Sequence, residues 1–220
     1  MYNRKVYRLQ NAYQLVLEEE KLTTPEHPYF YAETIYSAIS PGTELSAFLG
    51  LPHLRKDVTY PRFLGYLNIA RVVESCQLPT INRGDLILTH APHCSSFLGT
   101  EKDILAVLAE DFSPLVIFSY LYWMGLCCIN PFDERDPRDL LICLIGQGCI
   151  SRSLFELLTK YTFHVSAVSS KPRLSVQFHP ILNRLSAAKT LSCTQDLCIV
   201  STNSWEDYFL GLELLRNRGM

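Results

Sequence analysis

DLLICLIGQGCISRSLFELLTKY, residues 139–161, reads as an apolar strand, a glycine turn and an amphipathic helix. Residues 140–145 are a short apolar run of the kind buried on both faces of a parallel sheet. Gly146-Gln147-Gly148 forms the turn, and Ser151 stands where a dinucleotide fingerprint carries its third glycine. Leu154, Phe155, Leu157 and Leu158 then give one apolar face at helical spacing.

That pattern has a physical use. The first glycine permits the tight turn, and the second lets the backbone approach a pyrophosphate. The unpaired N–H groups at the helix start, here from Gly148, Cys149 and Ile150, favour an anion together with the helix dipole. G-x-G-x-x-S also occurs in turns that are purely structural, so both readings stand at this level.

Working outward, the 220 residues fit one large or two small domains and can bury a sizeable core. The formal charge of −2 gives no global pull toward nucleic acid or anionic lipid. Cys127, Cys128, Cys143 and Cys149 lie in apolar runs, where cysteine acts as a small hydrophobe, and no C-x-x-C pair occurs. The start, MYNRKVYRLQ, is polar and charged, unlike a signal peptide. A cytoplasmic protein is the expectation.

The first hundred residues are predicted to be β-rich. Strand candidates are residues 6–9, 13–17, 29–39, 67–73 and 85–89, with a brief helical turn over 43–49. Residues 112–132 carry no charge, but their apolar centre, 115–129, falls short of the ~20 residues that span a bilayer. Ser113-Pro114 is a helix-start signal and Pro131 a stop, so a buried helix is expected there, followed by a charged loop over 133–139. Beyond the glycine turn, 162–168 and 196–202 are predicted strands and 205–216 a helix stopped by Gly219. Strands alternating with helices imply a parallel, doubly wound sheet.

Four segments in order, YSAISPGTELSAF (36–48), YPRFLGYLNIARVVE (60–74), RGDLILTHAPH (83–93) and LICLIGQGCIS (141–151), make the whole chain resemble the medium-chain dehydrogenases and reductases. Within that family the sequence is most similar to a branch of sugar- and pigment-processing dehydrogenases. The resemblance implies an α/β protein with a β-rich N-terminal domain: a chaperonin-10-like β-barrel over 1–111, a connecting helix and loop over 112–138, and a partial Rossmann domain over 139–220.

Three departures from the family pattern matter. Zinc-dependent members carry a cysteine before the G-T-D/E segment and a His-Glu pair after a later glycine. Here Ser40-Pro41 precedes Gly42-Thr43-Glu44, and Tyr66-Leu67 follows Gly65, so no metal is expected. His90 and His93 form an H-x-x-H that lacks a third ligand. NAD-preferring members end their second strand with an acid about 20 residues past the turn. This chain has Ser169, Ser170, Lys171 and Arg173 in that region, which suit a 2′-phosphate and so NADP(H), or else form a solvated basic loop. Finally, members usually continue past the helix matched by 205–216. The chain is therefore expected to be a fragment or a reduced relative, with residues 196–202 as an open sheet edge that pairs with another copy or a partner chain.

The resemblance implies metal-free hydride transfer between NADP(H) and a carbonyl or activated double bond of a small molecule. Tyr66, Thr43 and His93 are the candidate catalytic residues: Tyr66 to polarise the substrate oxygen, Thr43 at the family's relay hydroxyl, and His93 as a third candidate. Each also has a plain structural reading, in the barrel, at a turn or in a loop. A non-catalytic binding or assembly subunit is the alternative class.

Overall fold

The computed structural model describes residues 2–26, 28–51, 59–129, 140–160, 164–169, 182–202 and 204–216. The chain divides into two compact units, Met1–Ser119 and Tyr120–Met220.

The first unit holds two antiparallel sheets. β1 (Tyr2–Asn11) and β2 (Gln14–Leu22) form a hairpin, with Tyr13 at φ +63° in its turn. β3 (Tyr29–Ser37) leads to the short helix α1 (Thr43–Phe48) and then to β4 (Arg62–Phe63), which pairs with β1. β5 (Asn68–Cys76), β6 (Leu86–Thr89), β7 (Ser96–Gly99) and β8 (Ile104–Leu108) join β3 in a sheet of order β7-β3-β5-β6-β8. Phe30, Ala32, Ala70, Val72, Ile87 and Phe97 fill its core, and Val6 of β1 packs into the same cluster. Leu9, Ala47 and Leu64 bury α1 against β1.

One face of the hairpin is tied by charge. Arg4 Nη2 lies 2.8 Å from Glu20 Oε2, Arg8 Nε lies 2.6 Å from Glu18 Oε2, and Arg8 also reaches Glu20. Both guanidinium groups sit over the Phe63 ring, Arg8 at 4.3 Å and Arg4 at 5.0 Å from its centroid. Burial would raise the Glu20 pKa, but the hydrogen bonds from Arg4 and Arg8 outweigh it and hold the carboxyl below its ordinary value.

The second unit contains α2 (Ser119–Ile129), β9 (Leu141–Ile145), α3 (Cys149–Lys160), β10 (His164–Val168), α4 (Arg184–Leu191), β11 (Leu197–Val200) and α5 (Trp205–Leu214). Its sheet is parallel, in the order β10-β9-β11. Alternate side chains of the central strand explain the layering. Ile142 and Leu144 pack on Leu154, Phe155 and Leu158 of α3, whereas Cys143 and Ile145 pack on Ala187, Leu210 and Leu214 of α4 and α5.

Several sequence expectations need correction. The hairpin strands run well past the predicted 6–9 and 13–17, because paired strands of mixed polarity keep their ladder without apolar alternation on both faces. The short strands β7 and β8 and the helix α4 were not anticipated. The predicted buried helix over 112–132 is a 3-10 turn, Pro114–Phe118, capped by the Ser113 hydroxyl, and then α2. Only part of it is buried: Ile117 and Leu121 are covered, while Trp123 is 57% exposed. Pro131, the loop over 133–139 and Gly219 lie outside the described residues.

Candidate functional site

The glycine turn is built by the ends of three strands. Gly146 has φ +114°, and its N–H donates to Val168 O at 2.9 Å. A Cβ there would lie 2.8 Å from Ser201 Oγ and from Thr202 Cγ2, so glycine is required on two counts. Gly148 differs: a Cβ there would meet no atom within 4 Å, leaving open space at the start of α3. Cys149 and Ile150 form the first turn of that helix, where N–H groups lack intrahelical acceptors. The Gln147 Nε2 amide is shielded from solvent and has no hydrogen-bond partner among the described residues.

Ser151 takes the third glycine position by a different device. It is buried, and its hydroxyl meets Ser201 Oγ at 2.6 Å, pinning α3 to the end of β11. Close packing of helix on strand is thus kept by a hydrogen bond. The open face at Gly148, the free first turn of α3 and the orphan amide of Gln147 together fit the pyrophosphate of a dinucleotide. Ser201 carried no signal in the sequence, lying 50 residues beyond Ser151, and Gln147 occupies the place between the two glycines where the pattern leaves the residue type open.

At the end of β10, Ser169 is buried and its N–H donates to Leu182 O at 3.0 Å. Ser170, Lys171 and Arg173 lie outside the described residues.

The first unit gathers hydroxyls, imidazoles and one carboxylate around α1. The Tyr66 phenol donates to Ser40 Oγ at 2.8 Å, and the backbone N–H of Ser40 donates to Glu44 Oε1 at 3.0 Å. His90 Nδ1 lies 2.9 Å from the Tyr66 carbonyl. His93 belongs to a neighbouring chain of contacts: Nε2 is 2.8 Å from Glu44 Oε2, and Nδ1 is 2.5 Å from Ser37 Oγ. Thr43 begins α1 with an exposed side chain and no hydrogen-bond partner among the described residues.

Two of the three candidate catalytic residues are therefore engaged, in two networks that meet at Glu44, and Thr43 stands apart. Ser37, Ser40 and Glu44 were not singled out from sequence. The one available cue was Glu44 four residues after Ser40 at a helix start, a spacing that lets a carboxylate reach back to a backbone N–H. At the positions that the resemblance assigns to metal ligands stand Pro41, Tyr66, whose phenol donates to Ser40 Oγ, and Leu67, which is buried. His90 and His93 take separate partners, and no group of three or more His, Cys, Asp or Glu side chains is placed for a metal among the described residues.

No family model and no curated protein matches the chain. Solved structures do. L-idonate 5-dehydrogenase of Escherichia coli superposes with a TM-score of 0.82 at 11% identity, over 99% of this chain and 75% of its own. 2R,3R-butanediol dehydrogenase of Bacillus subtilis gives 0.73 at 14% identity, over 98% and 75%. S. aureus TarJ in complex with NADPH gives 0.62 at 14% identity, over 78% and 55%. The chain has the fold of these alcohol-dehydrogenase-like, medium-chain enzymes. No helix among the described residues is long and apolar enough to cross a membrane.

Proposed function

We propose that this chain is an NADP(H)-dependent, zinc-independent oxidoreductase of the medium-chain dehydrogenase/reductase type. Its substrate is a small molecule with a carbonyl, an alcohol or an activated double bond. In this reading the first unit is a chaperonin-10-like β-barrel and the second a partial Rossmann domain. The observation that carries it is the turn at Gly146-Gln147-Gly148, with Gly148 facing open space and the Gln147 amide without a hydrogen-bond partner among the described residues. The NADPH held by TarJ, a protein of the same fold, supports the cofactor class.

Bound NADP(H) would supply the hydride. The residues that hold it are Gly146, Gly148 and the first turn of α3 at Cys149 and Ile150, with Ser169, Ser170, Lys171 and Arg173 toward the 2′-phosphate. Tyr66 polarises the substrate oxygen. To do so it turns its one proton from Ser40 Oγ, 2.8 Å away, to the substrate, and the Ser40 hydroxyl, its backbone N–H bonded to Glu44, can then donate to the phenol oxygen. Thr43, the relay hydroxyl that the resemblance implies, lies exposed at the start of α1 and outside this hydroxyl pair. Self-association belongs to the same reading, since β11 has β9 as its one strand partner among the described residues.

The test is NADPH oxidation against a panel of aldehydes, ketones and enones, with two variants. Tyr66→Phe should lower kcat about 100-fold while leaving NADPH affinity unchanged. Lys171→Ala with Arg173→Ala should weaken NADPH and spare NADH. An unchanged kcat in the first, or equal losses of both cofactors in the second, contradicts the assignment.

A further inference from the structure

The contacts of His93 have a polarity that the oxidoreductase reading does not use. Glu44 is an acceptor on both oxygens: Oε1 takes the Ser40 N–H and Oε2 faces His93 Nε2 at 2.8 Å. In the neutral imidazole Nε2 then carries the ring proton, and Nδ1 is left as the acceptor. At Nδ1 stands the Ser37 hydroxyl, 2.5 Å away, with its other acceptor, Leu67 O, at a much weaker 3.4 Å. The single hydroxyl proton of Ser37 thus points to an imidazole nitrogen whose far side is held by a carboxylate. His93 and Glu44 are well shielded, with side chains 13% and 8% exposed.

All three residues line one cavity of about 790 Å³. Its walls are otherwise mostly apolar, from Leu15, Leu17, Ile39, Leu45 and Phe48, with Lys5 and Ser95 as the other polar side chains on its lining. That volume, an apolar lining and a few convergent polar groups are the usual makings of a small-molecule site. A hydroxyl, an imidazole and a carboxylate in hydrogen-bonded series are the makings of an activated nucleophile.

We propose that Ser37, His93 and Glu44 form a serine-centred acyl-transfer site for esters with an apolar acyl group. Ser37 Oγ bonds to the ester carbonyl carbon while its proton passes to His93 Nδ1. The carbon–oxygen bond to the alcohol then breaks, and the alcohol leaves with that proton. Water adds to the acyl carbon, giving a proton to Nδ1. The bond to Ser37 Oγ breaks, Oγ recovers the proton, and a carboxylic acid is released. Glu44 is the positioning residue: it fixes the tautomer and takes the positive side of the imidazole while the proton is held there.

An alkyl fluorophosphonate and p-nitrophenyl butyrate are the probes, used on the full chain. Intact mass and peptide mapping should show one phosphonyl adduct, on Ser37, absent in Ser37→Ala, which is nearly isosteric and keeps the wall intact. His93→Gln, with its Tm checked, should slow labelling about 100-fold. Glu44→Gln should lower kcat for p-nitrophenyl butyrate at unchanged KM. No adduct on Ser37, an adduct elsewhere that survives Ser37→Ala, or wild-type labelling in His93→Gln overturns the proposal. A raised KM at unchanged kcat in Glu44→Gln overturns the role given to Glu44.

Discussion

Gly65 and His93 occupy one space. A Cβ on residue 65 would sit 2.6 Å from His93 N and 2.8 Å from His93 Cγ, and Gly65 holds φ +95°. The ring of His93 is set against a bare backbone, and this seats it between Ser37 and Glu44. Gly65→Ala forces an L side chain into a left-handed conformation and against a ring that cannot withdraw. It should cost about 1–3 kcal/mol, read as a lower Tm, whereas Gly84→Ala controls for strain alone, because a Cβ there meets nothing within 4 Å. Equal losses in the two variants would remove steric contact with His93 as a cause.

The Ser151–Ser201 hydrogen bond replaces the small gap that a third glycine would leave. Ser151→Ala and Ser201→Ala should each lower stability by about 1 kcal/mol, and the double variant by less than the sum. Thermal or urea denaturation of the four proteins closes the cycle. Full additivity would show that the two hydroxyls do not support each other.

Local pattern made the second unit readable. The apolar run at 140–145, the glycines and the spacing of Leu154, Phe155 and Leu158 each carry their own physics, and β9, the turn and α3 follow from them. The β-rich first unit was legible as strands but not as a site. Only Ser40 and Glu44 are near neighbours in the chain; Ser37 and His93 meet across 56 residues, and Ser40 and Tyr66 across 26. Such contacts span dozens of residues, and no short-range spacing encodes them. Ser151 was read as a weakened glycine position, whereas its hydroxyl supplies a contact that glycine lacks.

The hairpin should be sensitive to acid through Glu20. Its carboxyl pKa is depressed, because the hydrogen bonds from Arg4 and Arg8 outweigh burial. A depressed carboxylate contributes stability that is complete above its unfolded value, about 4.3, and is lost as pH falls through the lower folded value. Glu20→Gln should therefore lower Tm at neutral pH, and the gap from wild type should close on acidification. A gap that stays constant down to low pH would assign the effect to packing.

The chain should purify without stoichiometric zinc, because Pro41, Tyr66 and Leu67 offer two hydrocarbon groups and a phenol at the positions where ligands would stand. Elemental analysis checks this. One zinc per chain, lost on chelation together with NADPH-dependent turnover, would contradict it.

The most direct measurement is a calorimetric titration with NADPH of the wild-type chain and of Gly148→Ala. Residue 148 faces open space in the folded chain, so alanine there should leave Tm unchanged. It would nonetheless put a methyl group where the pyrophosphate must approach the backbone. The account predicts saturable one-to-one binding, tighter for NADPH than for NADH, and a loss of at least about 10-fold in affinity, roughly 1.4 kcal/mol, in Gly148→Ala. No heat of binding to the folded wild-type chain, or equal affinity in the two proteins, would contradict it.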